Sequence, residues 1–179
     1  MKITALLAPL FVLVALTLTA AAPDAPTTVT LSDVHLCCGK CVKGINTAVT
    51  PVAGAAAVCD TTADTVVLTA PDKDTLQKAV NAIVAAGYFG KSSDSSIKVD
   101  AATGAPDGNV TTLDITGVHN CCASCAKDLN AALANVPGIT SGPIAANASA
   151  FTITGNFNAK ALFEELQKAG FTGTVAPAK

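Results

Sequence analysis

The sequence predicts an α+β protein made of two ferredoxin-like domains, each with the order βαββαβ. In that fold a four-stranded antiparallel sheet carries both helices on one face. Two observations support the prediction. An eight-residue phrase, VHLCCGKC at 34–41, returns as VHNCCASC at 118–125. Around both copies, the same succession of alternating and helical apolar patterns is repeated.

The first domain is expected over residues 27–100. Val29 and Leu31 alternate with polar residues, which is typical of a half-buried strand. After the cysteines, apolar residues at helical spacing form one stripe: Val42, Ile45, Ala48, Val49 and Val52. Two strands are expected next, at 55–59 and 66–69.

A second helix then completes the first domain together with one short strand. Asp72 or Asp74 can cap this helix. Its apolar stripe consists of Leu76, Ala79, Val80 and Ile83. The sequence leaves two positions open for the last strand, 89–92 and 97–99.

The second domain is expected over residues 109–176, after a linker at 101–108 that is rich in Gly and Pro. Its first strand carries Leu113 and Ile115. The remaining elements follow the first copy: a helix with Ala126, Leu129, Ala132, Leu133 and Val136, strands at 139–145 and 150–154, a helix with Leu162, Phe163 and Leu166, and a last strand at 172–176.

Residues 1–22 predict a secretory signal peptide. Lys2 precedes an uncharged apolar run that ends in small residues at 19–22. The alternative is an uncleaved anchor, because a run of about 20 apolar residues can span a bilayer. We therefore expect an exported protein, periplasmic or secreted, without membrane contact after cleavage; anchoring by the uncleaved segment is the weaker alternative.

The composition excludes several functional classes. The net charge is −2, there is no arginine, and there is no basic run. A nucleic acid or an anionic membrane surface is therefore not an expected partner. No nucleophile triad or general base stands out, so we expect no enzymatic activity.

Six of the seven cysteines lie in the repeated phrase. A disulfide framework usually spreads its cysteines along the chain, whereas these form two groups of three. The predicted elements place Cys38 and Cys122 just before a helix, and Cys41 and Cys125 in its first turn. The N–H groups and the dipole at a helix start favour thiolates there. Thiolates select soft or borderline ions such as Cu(I), Zn(II) and Hg(II).

Each copy resembles a heavy-metal-associated (HMA) domain, the family of copper chaperones, copper-pump N-terminal modules and an exported mercury-binding protein. The resemblance rests on the C-x-x-C between strand and helix, the Val-x-Gly after helix one and the Gly-aromatic after helix two. It implies that Cys38 and Cys41, and likewise Cys122 and Cys125, are metal ligands. It also places Tyr88 and Phe171 beside the metal loops, and it makes a metal transporter or metallochaperone a candidate partner.

The sequence departs from the family at the metal loop itself. Where the family has Gly-Met, this chain has His35-Leu36 and His119-Asn120, and an additional cysteine, Cys37 or Cys121, precedes the first ligand. His35, Cys37, Cys38 and Cys41 could form a four-coordinate site with three sulfurs and one nitrogen, which suits Zn(II). Two-coordinate Cu(I) needs only the C-x-x-C pair. A soft or borderline ion, Cu(I) or Zn(II), is therefore expected.

The leading functional hypothesis is sequestration, buffering or transfer of heavy-metal ions at two thiolate sites. Two alternatives stay open: a thiol–disulfide protein that uses the C-x-x-C pairs, and a structural module whose loops are oxidised and metal-free. The sequence also leaves open whether the two copies act independently or share an ion. Cys59, which has no counterpart in the second copy, is expected to be a core residue.

Overall fold

The computed structural model describes residues 26–177. The predicted signal peptide at 1–22 lies outside the described residues. The described chain forms two halves, each with one antiparallel sheet and two helices. The predicted α+β class is confirmed at this level.

The first half follows the predicted order βαββαβ. Its sheet is antiparallel with the strand order β2-β3-β1-β4. The last strand lies inside the first of the two positions that the sequence left open. The elements are β1 (Thr27–Ser32), α1 (Gly39–Val49), β2 (Ala56–Asp60), β3 (Thr65–Ala70), α2 (Lys73–Ala85) and β4 (Lys91–Ser92).

Both helices of the first half pack on the same face of this sheet, because their apolar stripes meet the buried side chains of the two central strands. Asp72 is the residue that caps α2: its carboxylate accepts a hydrogen bond of 2.7 Å from the backbone N–H of Thr75. The buried residues of this layer are Val29 and Leu31 of β1, Val66 and Leu68 of β3, Ile45 and Val49 of α1, and Leu76, Ala79, Val80 and Ile83 of α2.

The second half has a three-stranded sheet with the order β6-β5-β7, so the predicted four-stranded sheet is wrong here. The segment 139–145, which was expected to be a strand, pairs with its neighbour only at its start, through an isolated bridge between Ile139 and Gly155 and hydrogen bonds from the N–H groups at 140 and 141 to the Thr154 carbonyl. The elements are β5 (Asn109–Thr116), α3 (Ala123–Ala134), β6 (Phe151–Asn158), α4 (Ala159–Lys168) and β7 (Thr174–Val175).

Asn130 explains why this segment is not a strand. Its side-chain oxygen accepts the Ile144 N–H at 2.7 Å, and its amide donates to the Ile144 carbonyl at 3.0 Å. These are groups that a fourth strand would offer to its neighbour. Pro143, just before, has no N–H to donate. The Asn130 side chain and Pro143 therefore stand where backbone hydrogen bonds would otherwise pair residues 143 and 144 with a neighbouring strand.

The two halves are joined at their Gly-aromatic motifs, which form an antiparallel bridge between Tyr88 and Phe171. The Phe89 N–H donates to the Gly170 carbonyl at 3.0 Å, and the Thr172 N–H donates to the Gly87 carbonyl at 3.0 Å. Tyr88 and Phe171 are fully buried, and the apolar core runs through both halves. Among residues 26–177, no helix combines the length and apolarity that crossing a membrane would need.

Candidate metal centre

The start of each first helix fixes four of the cysteines. Cys38 and Cys122 are the N-cap residues of α1 and α3, with extended backbones. Cys41 and Cys125 lie in the first turn of these helices and are fully buried. This is the placement that the sequence predicted. In each copy it directs one partly exposed and one buried sulfur to the same helix end.

The two phrases face each other, and the Sγ atoms of all six cysteines form one cluster. Neighbouring sulfurs lie 3.5–3.9 Å apart, and no disulfide joins them. Sulfurs bound to one ion at about 2.3 Å would be about 3.8 Å apart in a tetrahedron and about 4.0 Å apart in a triangle. The spacing therefore fits thiolates gathered around soft ions.

The cluster contains two sets of three sulfurs, and each set crosses between the halves. Cys37 of the first half lies 3.5 Å from Cys122 and 3.6 Å from Cys125, which are themselves 3.7 Å apart. We call these three residues set A.

Set B has the same composition with the halves exchanged. Cys121 of the second half lies 3.9 Å from Cys38 and 3.8 Å from Cys41, which are themselves 3.9 Å apart. In both sets the C-x-x-C pair of one half is thus completed by the additional cysteine of the other half.

Two further contacts connect the sets. Cys37 of set A lies 3.6 Å from Cys41 of set B, and Cys121 of set B lies 3.8 Å from Cys125 of set A. Each contact of one half has a counterpart in which the halves are exchanged. The six sulfurs are therefore one centre and not two distant sites.

The helix starts and burial act on the sulfurs in opposite directions. The backbone N–H groups of Cys41 and Cys125 face the N-cap sulfurs, although they form no regular capping hydrogen bond. They lower the pKa of Cys38 and lower that of Cys122 to about 6. Burial raises the pKa of Cys41 to about 11.

The additional cysteines have the strongest preference for the neutral thiol. Loss of hydration where the sulfurs crowd together, followed by hydrogen bonds to neighbouring sulfurs, raises the pKa of both Cys37 and Cys121 above the usual range, although the Cys37 residue as a whole is exposed. A cation that binds these sulfurs must therefore displace protons from them, and its affinity should increase with pH.

His35 lies against the aromatic ring of the other half. Its ring centroid is 4.2 Å from that of Phe171, and Nδ1 is 3.7 Å from a carboxylate oxygen of Asp128. Nε2 is buried and has no hydrogen-bond partner. Burial lowers the pKa of His35, against the opposing effect of Asp128 and Asp64. The imidazole thus holds a buried nitrogen that no protein group uses.

His119 occupies the equivalent position but has different neighbours. It stacks on Tyr88 with the ring centroids 4.1 Å apart, and its Nε2 lies 3.1 Å from the Tyr88 hydroxyl. That hydroxyl donates its proton to the Cys41 carbonyl at 2.9 Å. It can therefore only accept from His119, which assigns the proton to Nε2 and the lone pair to Nδ1. Burial, with a smaller effect of His35, lowers the pKa of His119 to about 4.

The histidines join compact groups of donors that also cross between the halves. A ring nitrogen of His35 and the sulfurs of Cys37, Cys41 and Cys125 all lie within 4.8 Å of one another. The same holds for His119 with Cys41, Cys121 and Cys125. A cysteine of the second half thus stands where Cys38 was expected in the group around His35.

The structure brings all eight predicted site residues together, and it adds residues that the sequence did not indicate. Cys59 lies apart in β2, where it is partly buried against the core. Gly44 and Asp128 are additions, at matching positions of α1 and α3, each beside the histidine of the opposite half. The signal for them was a difference between the copies, Gly against Asp, within an otherwise similar helix.

Gly87 and Gly170 have a role that the motif alone did not show. Both have positive φ, 87° and 82°. A Cβ at Gly87 would overlap the Gly117 carbonyl and the His119 N–H, and one at Gly170 would overlap the His35 N–H. These glycines let each Gly-aromatic segment approach the loop before the cysteines of the other half.

Known proteins show little similarity to this chain. No protein-family model matches the chain, and no curated protein matches it. Among solved structures, the chain is similar to the N-terminal soluble domains of Bacillus subtilis CopA, with 16% identity over 85% of this chain and 95% of that chain. The TM-score is 0.29, so the match carries no weight for the arrangement described above.

Proposed function

We propose that this protein binds soft or borderline metal ions, Cu(I) or Zn(II) in the first place, and sequesters, buffers or transfers them. The observation that carries the proposal is the convergence of six cysteine sulfurs, none joined by a disulfide, at 3.5–3.9 Å from their neighbours. Thiolates at this spacing are the donor set that such ions prefer. Hg(II) fits the same donors.

Two features favour metal binding over thiol–disulfide exchange. An exchange reaction needs one attacking and one resolving sulfur, whereas here six sulfurs converge. In addition, the buried Nε2 of His35 has no protein partner and belongs to a residue of the same cluster. Buried polar atoms are nearly always satisfied, so a missing partner suggests a ligand. Binding without catalytic turnover remains part of the proposal.

Elemental analysis of the reduced full chain would test this function. We expect at least one Cu(I) or Zn(II) bound per chain, and loss of most of it in the variant C41S/C125S, which removes the two buried sulfurs. C59S is the matched control, because Cys59 lies outside the centre, and it should bind as the wild type does. A wild-type chain that stays metal-free after reduction would contradict the proposal.

The same preparation separates the alternative functions. Rapid exchange with a dithiol reagent, without retained metal, would favour the thiol–disulfide function. Thiols that are blocked as isolated, and that bind no thiophilic ion after reduction, would favour the structural module.

We also propose that the protein is exported, which rests on the sequence of residues 1–22. Mass spectrometry of the protein from its native compartment should then show a mature N-terminus after this segment. A metal transporter or metallochaperone is the partner class that such a function implies. Retention of the intact N-terminus in the cytoplasm would exclude export.

A further inference from the structure

We propose that the centre holds two or more Cu(I) ions in one polynuclear thiolate cluster that bridges the two halves, instead of one independent ion per C-x-x-C. The inference rests on the proposed function and concerns the same site. Its basis is the composition of sets A and B, in which each pair is completed by a sulfur from the opposite half.

The number of sulfurs is the first argument. A single four-coordinate ion can use four of the six sulfurs, and a two-coordinate ion only two. The remaining sulfurs would then lie against the occupied ones without a role, although they are just as close. Sets A and B each provide three sulfurs with all three separations between 3.5 and 3.9 Å. Two ions can therefore each receive three sulfurs.

The contacts between the sets are the second argument. Cys37 is close to Cys41 as well as to its own set, and Cys121 is close to Cys125. Cys41 and Cys125, together with either histidine, also lie within 4.8 Å of each other. Sulfurs in such positions can bridge neighbouring ions, because a thiolate sulfur has more than one lone pair and is a soft donor that suits Cu(I). Ions in sets A and B would therefore be neighbours that share ligands.

Charge favours monovalent ions in more than one position. Each thiol that binds loses its proton to solvent and becomes a thiolate ligand, and copper remains Cu(I) throughout. One monovalent ion among several thiolates would leave a partly buried excess of negative charge, which is costly. A second Cu(I) that shares bridging sulfurs with the first adds one positive charge and needs fewer than three new thiolates, so it adds less buried negative charge than the first ion did and should bind at least as readily. Loading is then cooperative.

The additional cysteines provide the decisive test. In C37S/C121S both C-x-x-C pairs remain, but sets A and B each lose the sulfur from the opposite half. Native mass spectrometry of the full chain, titrated anaerobically with Cu(I) against a competing ligand, should show the wild type passing from the metal-free form to a species with two or more ions. The one-ion form should be scarce. C37S/C121S should load stepwise, with one ion per pair.

Luminescence under ultraviolet light gives an independent readout, because clusters of neighbouring Cu(I) ions shielded by thiolates emit in the orange-red. We expect emission from the wild type and from the C59S control, and at least a fivefold loss in C37S/C121S. Circular dichroism of the metal-free variant checks that it folds.

The outcomes distinguish this inference from the proposed function. Stepwise, non-luminescent loading of two ions by the wild type would overturn the cluster and leave the proposed function standing. Cooperative, luminescent loading by C37S/C121S would also overturn the proposal, because the cluster would then form without Cys37 and Cys121. A wild type that binds no Cu(I) would refute the proposed function itself.

Discussion

The surroundings of His35 and His119 show how two copies of one phrase come to differ. His35 stacks on Phe171, faces the Asp128 carboxylate through Nδ1 and leaves Nε2 without a partner. His119 stacks on Tyr88 and uses Nε2 in a hydrogen bond to the tyrosine hydroxyl. The Nε2 atom is therefore without a protein partner in His35 and engaged with a protein hydroxyl in His119.

Two paired exchanges produce this difference. Where α3 has Asp128, α1 has Gly44, and where the second half has Phe171, the first has Tyr88. A Cβ at Gly44 would overlap the Tyr88 hydroxyl, so the glycine makes room for that group. The comparison shows that the motif positions each histidine, but residues outside the motif decide which groups its ring nitrogens meet.

The largest effect, a loss of stability, is expected from substitutions that block the close contact between the two halves. Gly87→Ala should lower the free energy of unfolding by roughly 2–4 kcal/mol, because it adds a Cβ at positive φ against backbone atoms of the His119 loop. Gly170→Ala should do the same at the His35 loop. Urea denaturation of the metal-free chain measures both.

Gly39→Ala is the matched control for these two variants, because a Cβ there meets nothing within 4 Å. It should leave stability within about 0.5 kcal/mol of the wild type or raise it slightly. Equal stability of the Gly87 variant and this control would show that the close approach between the halves is not required.

A double-mutant cycle would sharpen the comparison of Gly44 with Asp128. Gly44→Ala alone should cost about 1–3 kcal/mol, because the new methyl group displaces the buried Tyr88 ring. In the background Tyr88→Phe the same change should cost much less, since the overlapping hydroxyl is absent and alanine favours the helix. An unchanged cost would mean that the tyrosine hydroxyl is not what Gly44 accommodates.

The two histidines should also differ in the acid dependence of stability. The pKa of His119 falls from 6.5 to about 4 on folding, so between these pH values the unfolded chain binds a proton that the folded chain does not. Stability should therefore decrease as the pH falls through this window. Thermal melts of the metal-free chain should show a weaker dependence in His119→Gln.

His35→Gln is the comparison for this experiment. The pKa of His35 is also lowered by burial, but Asp128 and Asp64 oppose the shift. Replacing His35 should therefore flatten the acid dependence less than replacing His119 does. A larger effect at His35 would show that Asp128 and Asp64 do not offset the effect of burial on the pKa of His35.

The smallest effect is expected at Asp128, which is 46% exposed and 3.7 Å from His35. Asp128→Asn removes the charge that orients Nδ1, and the affinity for Zn(II) should fall by about threefold to tenfold, at or below the lower end for outer-shell partners. A competition titration with a chelator measures it. Asp74→Asn, at the remote start of α2, is the control and should leave the Zn(II) affinity unchanged. If Asp128→Asn also binds Zn(II) with wild-type affinity, His35 does not belong to the zinc site.

The elements of the first half could be predicted because local pattern and tertiary packing agree there. The segment 139–145 could not, since its strand-like pattern was overridden by two hydrogen bonds between Ile144 and the side chain of Asn130, a residue of another element. The cysteines were found from the repeat alone. The sequence left open whether the two groups of cysteines form one centre, because this depends on backbone contacts at Gly87 and Gly170 that no local pattern reveals.

The different burial of the cysteines also sets the order in which a bound metal ion could be released from the centre. Cys37 is exposed and Cys38 and Cys122 are partly exposed, whereas Cys41 and Cys125 are sealed beneath them. An acceptor that brings its own thiols can reach only the outer sulfurs at first. Transfer of a metal ion would then proceed by replacing its protein ligands one after another, beginning with the exposed sulfurs. The buried sulfurs of Cys41 and Cys125 would be replaced last.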